Sequence, residues 1–373
     1  MKTAYKLLPL AVAMSFGSAH AANYAVEARG DAMGGVGVVS ANFLTAPFYN
    51  PALTAIYRRS DDAGMITPSI GFNYTDTGTF VDDLEQVENL INTGDYTGAQ
   101  EAMKKLEGDN LKVDIGGVVA FAIPNQFVAA NIFGKLYTES YATAEIKTDG
   151  TDEENALGSS IRAVSVGVAE AGVSLAKYQT FMGQHISFGL TPKLQRVYTY
   201  VYEAKLNSYD FKDLRDNSKG ETMFNMDAGF LWFYGPFRVG IAATNMISRD
   251  IHTQNLPGSN VSYAYEMSPQ YTVGAGIVAD YFTLSVDYDL KEEERYVGFD
   301  DNTQMLRVGA ELDLLRQLKL RAGWKKNLAY DHLDDTYTAG IGLSPLNLFQ
   351  LDLGASYTNK DSVGAYVNFL TTY

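Results

Sequence analysis

The sequence predicts an all-β fold: a transmembrane antiparallel β-barrel of about 14 strands, with an N-terminal plug inside the lumen and a short helical outer loop. Two observations carry this prediction. From Gly64 onward, apolar and polar residues alternate over stretches of about ten residues. The links between these stretches alternate between short turns and long polar loops. A soluble β-sandwich also shows alternation and is the competing interpretation.

Residues 1–21 have the pattern of a secretory signal peptide. Lys2 and Lys6 give a positive start, Leu7–Phe16 is an apolar run too short to span a bilayer as a helix, and Ala19–Ala21 is a small-x-small cleavage pattern. We therefore expect cleavage near Ala21 and a mature protein in the outer membrane of a Gram-negative bacterium, in contact with membrane lipid.

Composition excludes several classes of protein. No later stretch approaches the roughly 20 uninterrupted apolar residues of a transmembrane helix. The chain has no cysteine, which removes disulfides, thiol nucleophiles and thiolate metal sites. Its net charge of -15 argues against nucleic acid as a direct partner, because phosphate binding requires clustered Lys and Arg.

Residues 22–63 form the predicted plug, or hatch. Gly30, Gly34, Gly35 and Gly37 fall within eight residues, and they are followed by the turn-forming stretch Asn50-Pro51-Ala52. Glycine permits unusual backbone angles and lets two chain segments approach closely. A flexible N-terminal linker has the same composition and is the alternative.

Residues 64–373 form the predicted barrel. We expect strands near 65–75, 111–123, 126–146, 159–176, 185–203, 222–233, 237–245, 269–279, 281–290, 304–314, 318–325, 336–343, 349–358 and 362–372. In the first of these, Ile66, Pro68, Ile70, Phe72 and Tyr74 share one phase.

The opposite phase of the predicted strands carries charges, which favours a membrane barrel over a sandwich. A sandwich core buries such side chains only at high cost, whereas a wet or plugged lumen accepts them. The residues expected inside are Lys193, Asp227, Asp287, Arg307, Glu311, Arg321 and Asp352.

The connections predict which end of the barrel faces the periplasm. Tight links such as Pro124-Asn125 and Leu315-Arg316-Gln317 alternate with long links such as 204–221 and 246–268. Short periplasmic turns and long outer loops are typical of outer-membrane barrels. Aromatic residues near the strand ends, such as Trp232, fit interfacial girdles.

The first long loop, residues 76–110, contains two predicted amphipathic helices, in 82–92 and 97–106. Over the outer mouth they would form a lid or an apolar docking groove. The alternative is that they pack on the barrel rim.

A change of phase near Gly172 predicts a β-bulge. Val164, Val166 and Val168 hold one phase, whereas Val173 and Leu175 hold the other. A slip of one residue implies a bulge, which interrupts strand pairing. Such a bulge would open a side window in the wall or act only as a shape device.

The chain ends on Tyr373, with Phe369 and Val367 in phase. This ending is similar to the C-terminal signal recognised by the outer-membrane assembly machinery, which we expect as a partner during biogenesis.

Together these features resemble the FadL family of outer-membrane barrels, which carry long-chain fatty acids and other hydrophobic compounds. The local match is R-G-D-A-M-G-G-V-G-V-V-S at 29–40 and Tyr49-Asn50-Pro51-Ala52. The closest branch is the one labelled conjugal transfer protein TraF, or plasmid transfer operon TraF-like. A different, thioredoxin-like protein shares that label, and a chain without cysteine does not have its chemistry.

The resemblance implies that Asn50, Pro51 and Ala52 belong to the plug. It also implies that a hydrophobic ligand enters at the outer loops and leaves sideways through the wall when the plug shifts. Passive uptake or export of hydrophobic or amphipathic small molecules is thus the first hypothesis for function. A non-transporting envelope platform, or an accessory protein of conjugation or secretion, is the second.

An enzyme is not expected, and neither is a cofactor or metal. His185, His252 and His332 lie in no recognisable catalytic or metal-ligand spacing.

Overall fold

The structure, a computed structural model, describes residues 27–57, 63–210, 218–256, 260–330, 333–345 and 349–372. The predicted signal peptide 1–21, His332 and the terminal Tyr373 lie outside these ranges. Within them, no helix combines the length and apolarity needed to cross a membrane.

Fourteen antiparallel strands close into a barrel, as the alternation predicts. Each strand pairs with its neighbours in chain order, and the last strand pairs with the first. In chain order the strands are β1 (Gly64–Asp76), β2 (Asn110–Ile123), β3 (Ala129–Glu145), β4 (Ser160–Phe181), β5 (Gln184–Lys205), β6 (Ser218–Tyr234), β7 (Phe237–Thr244), β10 (Gln270–Val278), β11 (Phe282–Asp289), β12 (Met305–Leu314), β13 (Leu318–Asn327), β14 (Thr336–Leu343), β15 (Gln350–Asn359) and β16 (Ser362–Thr372), while β8 (Arg249–His252) and β9 (Ala264–Met267) form a separate pair.

The outer face of the wall is apolar. Large side chains stay exposed there because nothing in the protein covers them, including Leu190 at 52%, Phe224 at 52% and Leu353 at 39%. A contiguous exposed apolar belt around a closed barrel is the surface that a lipid bilayer covers. The inward phase carries the charges, and all seven residues predicted to lie inside are buried.

The separate β8–β9 hairpin was not predicted, because residues 246–268 contain several polar residues and turn formers. Its inward residues Ile251, Tyr265 and Met267 are buried against Val164, Val166, Val168, Val197 and Val201 of the wall and against Tyr296 and Phe299 of the β11–β12 loop. The long loops therefore fold back and fill part of the lumen.

The loop between β1 and β2 forms the two predicted helices, α2 (Phe80–Thr93) and α3 (Tyr96–Leu106), after the short α1 (Ala28–Asp31) of the N-terminal segment; α4 (Asp152–Gly158) lies in the β3–β4 loop. The helices do not cover the mouth. Their apolar faces are buried against Leu111, Val113, Ala142, Ile161, Ala163 and Tyr202, which point outward from the wall. The lid interpretation is therefore wrong, and the helices pack on the outside of the barrel.

The bulge predicted at Gly172 is not present. Strand β4 keeps a single register with β3, from the pair Ala129 and Ala176 to the pair Glu145 and Ser160. Its register with β5 is the same on either side of Pro192. The apolar phase changes for another reason. Val173 and Leu175 face outward in the belt, whereas the three valines face inward onto the loop core.

The register does shift in β1. Its pairing with β2 slips between Ile66 and Ser69, and its pairing with β16 slips between Thr67 and Ile70. A proline sits at this point and cannot donate to the ladder. Ile66 consequently faces the lumen and is buried, while Ile70 faces outward and is 56% exposed, so the five residues predicted to share a face do not.

Candidate functional site

The N-terminal segment, residues 27–57, lies inside the barrel at the end where the short turns are. It contains α1 and two short 3₁₀ helices, Ala46–Phe48 and Pro51–Ala55, so the stretch that looks irregular in sequence has local helical order. Glu27 caps α1 by accepting hydrogen bonds from the backbone N–H groups of Arg29 and Gly30. The rest of the segment runs across the lumen and contacts opposite sides of the wall.

Polar contacts attach this segment to one side of the wall. The Arg29 guanidinium donates two hydrogen bonds to Glu311 of β12, at 3.0 and 2.9 Å. The backbone N–H groups of Gly37 and Val38 donate to one carboxylate oxygen of Asp287 on β11, at 2.7 and 3.0 Å.

The opposite side of the wall holds the segment through amide and hydroxyl groups. The Asn131 side chain of β3 donates to the carbonyl oxygens of Phe43 and Leu44, both at 2.9 Å. The Thr54 hydroxyl lies 3.2 Å from the Ser174 hydroxyl of β4. Contacts on β3, β4, β11 and β12 thus reach across the lumen.

Asn50 joins three parts of the site. Its Oδ1 accepts from Ala52 N at 3.0 Å and caps the second 3₁₀ helix, where Pro51 occupies the first position. Its Nδ2 donates to the carbonyl oxygen of Val38 at 2.9 Å and to that of Phe230 on β6 at 3.2 Å. Asn50 therefore fixes the segment to itself and to the wall.

Glycines allow the segment to touch the wall backbone. Gly34 has φ +73°, and a Cβ there would lie 2.7 Å from the carbonyl oxygen of Trp324 and 2.9 Å from that of Val308. The wall also has glycines at these contacts. A Cβ on Gly323 would lie 2.1 Å from Gly34 N, and a Cβ on Gly189 would lie 2.3 Å from the carbonyl carbon of Pro51. Both surfaces lack side chains where they meet.

Apolar contacts complete the seal. Phe43, Leu44 and Phe48 pack against Ile66 and the inward side chains of β2, β3 and β16, and the Phe48 ring meets Phe133 edge-on with 5.5 Å between centroids. On the other side, Val38, Val39 and Leu53 pack against Leu231 and Ala242 of the wall.

Ion pairs line the lumen beside the segment. Arg321 bridges Glu311 and Asp352 at 2.6 Å each, and Lys193 lies 2.9 Å from Asp227. Arg307 makes two parallel bonds with Asp289, at 2.9 and 3.0 Å. Buried charges are tolerated when paired in this way. They make the lumen polar and charged rather than uniformly apolar.

The β11–β12 loop holds two buried carboxyl groups outside the strands. Burial raises the pKa of Asp301 to about 6, although Arg295 and Lys112 act in the opposite direction. Burial, followed by the charge of Asp289, raises the pKa of Glu293 to about 7. The Tyr296 N–H donates to Asp301 at 3.2 Å, and the Tyr296 hydroxyl donates to the Ser165 carbonyl at 2.6 Å. This loop is therefore tied to the wall.

Two cavities flank the filled region. The turn-side cavity, about 700 Å³, opens at the short-turn end and is lined by parts of the N-terminal segment with residues such as Arg238, Asp313 and Lys319. The loop-side cavity, about 310 Å³, lies at the other end among residues such as Asn73, Asp114 and Lys325. The N-terminal segment and the folded-back loops occupy the space between them.

All seven residues predicted for the plug lie in this segment. Gly30, Gly34, Gly37, Asn50, Pro51 and Ala52 are buried, and Gly35 is half-buried with φ +85°. Gly172 lies apart from them, in β4. The wall glycines at 189, 229, 309, 323 and 340 were missed as part of the site. The signal in the sequence was that glycines occur inside predicted strands, where they often mark a close approach of another backbone segment.

No group of three or more His, Cys, Asp or Glu residues within the described ranges is arranged to hold a metal ion. His185 instead stacks with Phe233, and its Nδ1 lies 2.6 Å from the Tyr178 hydroxyl.

Residues 47–289, more than half of the chain, match the family described as F plasmid transfer operon, TraF, protein. The chain belongs to this TraF family. The matched region begins just before Asn50-Pro51-Ala52 and extends through β11. None of the curated proteins matches the chain.

Solved structures share the fold of this TraF-family chain at low sequence identity. A Pseudomonas aeruginosa FadL homologue matches with a TM-score of 0.55 and 12% identity, over 93% of this chain and 98% of that one. The Ralstonia pickettii toluene transporter TbuX matches at 0.53 and 11%, over 93% and 98%. The Pseudomonas putida toluene transporter TodX matches at 0.54 and 9%, over 94% and 97%. The FadL-like barrel implied by the sequence is therefore confirmed as the fold.

Proposed function

We propose that this protein is an outer-membrane barrel for passive uptake or export of hydrophobic or amphipathic small molecules, with the N-terminal segment as a movable hatch. One observation carries the proposal: residues 27–57 fill the lumen beside the turn-side cavity and are held against the wall by noncovalent contacts. The barrels of similar fold include transporters named for toluene, which supports the same class of cargo here.

The outward apolar belt supports the membrane location. Its residues come from strands all around the barrel, for example Ile132, Leu190, Leu284 and Leu353. With about 0.8 kcal/mol gained per buried methylene, covering this belt with lipid is strongly favourable. The proposed location is the Gram-negative outer membrane, after removal of residues 1–21.

The structure of the hatch suits a rearrangement. Many of its direct links to the wall are hydrogen bonds and one paired guanidinium, which water or an altered register replaces at modest net cost. Gly34 and Gly35 both have positive φ. Because glycine has no Cβ, these two residues adopt other backbone angles at little steric cost. Two packings of the same segment then differ by little in free energy.

A sideways exit at β1 fits this mechanism better than one at Gly172. The bulge between Ile66 and Ile70 interrupts the ladder on both edges of β1. On the lumenal side, Leu44 packs close to this strand: a Cβ at Gly64 would lie 2.9 Å from a Leu44 methyl carbon. Displacement of the hatch would therefore expose the interrupted part of the wall.

The second candidate is a non-transporting platform or an accessory of conjugation or secretion. The filled lumen favours it. The β8–β9 hairpin and the β11–β12 loop form an apolar core inside the long-loop half, and ion pairs between neighbouring strands line the lumen beneath it. In this case the barrel stays closed and the partner binds the loops.

A disulfide lock separates the two functions. Since the chain has no cysteine, Thr54→Cys with Ser174→Cys creates a unique pair at positions whose hydroxyl oxygens are 3.2 Å apart. Transport requires the hatch to move, so oxidation should abolish protein-dependent entry of labelled oleate or toluene into cells that lack other uptake barrels. Reduction should restore it.

The two single-cysteine variants serve as controls, because neither is able to cross-link within the chain. If uptake persists when the pair is oxidised, the hatch does not gate it. If neither the reduced pair nor the unmodified protein raises uptake above cells without the barrel, the platform is the better function.

A further inference from the structure

Most of the residues around the loop-side cavity have polar side chains, and apolar atoms make up about half of the surface that they present. It lies between β1, β2, β12–β16 and the start and end of the helical loop. Of the twenty residues around it, only Met305, Leu333 and Val363 are aliphatic. A volume of about 310 Å³ is at the small end of the range for ligand sites and fits a head group of monosaccharide size.

Ten of the twenty lining residues carry uncharged hydrogen-bonding side chains. The hydroxyls of Thr336 and Thr358 lie 2.8 Å apart, and the Ser356 hydroxyl lies 3.3 Å from Asn73 Oδ1. Three more threonines and two more asparagines belong to the same surface, which are Thr75, Thr77, Thr303, Asn327 and Asn359. Paired donors and acceptors of this kind recognise hydroxyl groups.

Asp114, one of the residues that line the cavity, has a carboxylate oxygen without a hydrogen-bond donor in the described part of the chain. Asp114 Oδ1 is buried and has no hydrogen-bond partner among the residues that the structure describes. A buried acceptor without a donor is costly, and a ligand hydroxyl would satisfy it. A bare hydrocarbon would instead leave this oxygen and its neighbours unpaired.

The charges of the lining argue against an anionic head group. Asp109, Asp114 and Asp334 face the cavity together with Lys112 and Lys325. Lys112 is also 2.5 Å from the carboxylate of Glu139. The three acidic groups therefore outnumber the two basic ones, and a ligand carboxylate would meet repulsion.

We infer that the loop-side cavity binds the neutral, polyhydroxylated head group of an amphiphile. This inference rests on the proposed function and narrows its cargo from hydrophobic molecules in general to compounds with a sugar-like or polyol head. Asp114 accepts from a head-group hydroxyl, and the Thr336, Ser356 and Thr358 hydroxyls hold the remaining ones. The three aliphatic residues then leave space for only a short part of the tail.

Three probes with one tail test the head group. The full mature chain in lipid nanodiscs is titrated with octyl glucoside, octanoate or octylamine, each below its micelle concentration. Octyl glucoside should bind most tightly. Tighter binding of octanoate or octylamine would overturn the inference, because the head group would then be recognised by charge.

Asp114→Ala should weaken octyl glucoside binding by roughly tenfold or more, as expected for losing a hydrogen bond to a charged group. Asp313→Ala is the matched control: Asp313 is also an inward strand carboxylate with a buried, unpartnered Oδ1, but it lines the turn-side cavity. Equal losses in the two variants would contradict a site in the loop-side cavity.

A second variant protects the test against misfolding of Asp114→Ala. Thr336→Val with Thr358→Val removes both hydroxyls at nearly constant volume, and it should weaken octyl glucoside binding several-fold. Unchanged binding would refute the inference. If octyl glucoside binds tightly and its binding depends on Asp114, but oxidation of the pair Thr54→Cys with Ser174→Cys does not change uptake, the inference stands and the hatch is refuted. If oxidation of that pair abolishes uptake of oleate or toluene but octyl glucoside does not bind, the hatch stands and the inference is refuted.

Discussion

At the scale of single residues, Asn50 offers the sharpest test of the site. Asn50→Asp keeps the cap on Ala52 N but replaces the Nδ2 donor with an oxygen that faces the carbonyls of Val38 and Phe230. The loss of two hydrogen bonds, together with repulsion between oxygens, should lower the free energy that holds the segment in place by at least about 2 kcal/mol. Single-barrel conductance in planar bilayers should then show more frequent openings than in the unmodified protein.

Asn42→Asp is the matched control for Asn50→Asp. Asn42 uses its Oδ1 to accept from the N–H groups of Leu44 and Thr45, and aspartate serves this role equally well. Openings as frequent in Asn42→Asp as in Asn50→Asp would show that added charge, rather than the lost donor, loosens the segment.

The same residues show what sequence reveals at this scale. Asn50, Pro51 and Ala52 stand out because a cap followed by proline has a local signature. Their partners Phe230 and Ser187 do not, because a backbone carbonyl and an isolated serine on distant strands carry no local signature. Lumenal charges such as Glu311 were predictable from strand phase, but the choice of Arg29 as the partner of Glu311 was not.

At the scale of elements, the β11–β12 loop should respond to pH. Asp301 and Glu293 have pKa values raised by burial to about 6 and about 7, so the packed loop favours their protonated forms. This stabilisation is fully present below the ordinary carboxyl pKa and is lost as the pH rises through 6 to 7. Amide exchange in residues 290–304, corrected for intrinsic rates, should be at least about tenfold faster at pH 8 than at pH 4.

Asp301→Asn is the comparison for this experiment. It retains an oxygen that accepts from Tyr296 N but does not titrate. The variant should lose part of the pH dependence and keep the rest, which belongs to Glu293. If the exchange of this loop slows as the pH rises, the carboxyl groups act through the attraction between their charged forms and Arg295 instead.

Elements also show why a pattern was misread. The apolar residues of β4 change phase near Gly172 because the strand leaves the lipid-facing belt and enters a region where loops supply an apolar lumen. Alternation reports which face is apolar, and a bulge is only one way to change that face. The real bulge in β1 contains Pro68, and the simple alternation Ile66, Pro68, Ile70 concealed it.

At the scale of the whole molecule, fourteen strands and their order could be predicted because each strand must alternate to separate lipid from lumen. The closed barrel follows from that count. Sequence could not show how the lumen is filled or which elements pack on the outside of the wall. The packing of β8–β9 on Val197 and Val201, and of α2 and α3 on Leu111 and Val113, depends on contacts between residues far apart in the chain.

The membrane belt makes the last prediction. Leu353 faces outward on β15 between outward neighbours Ile341 and Val367, so Leu353→Arg places a charge in the apolar belt. Such a change in a barrel should cost about 2 to 4 kcal/mol of stability in a bilayer. Urea unfolding in phospholipid vesicles, followed by the fluorescence of the two tryptophans, measures this loss.

Val297→Arg is the control, because Val297 is 52% exposed but lies in the β11–β12 loop, outside the belt. Its arginine stays in water, and surface substitutions of this kind change stability by about 0.5 kcal/mol or less. Equal effects at the two positions would mean that lipid does not cover Leu353. The inward charges and the outward belt are two faces of the same strands. That result would therefore also contradict the interpretation of the lumen as a membrane passage and of the N-terminal segment as its hatch.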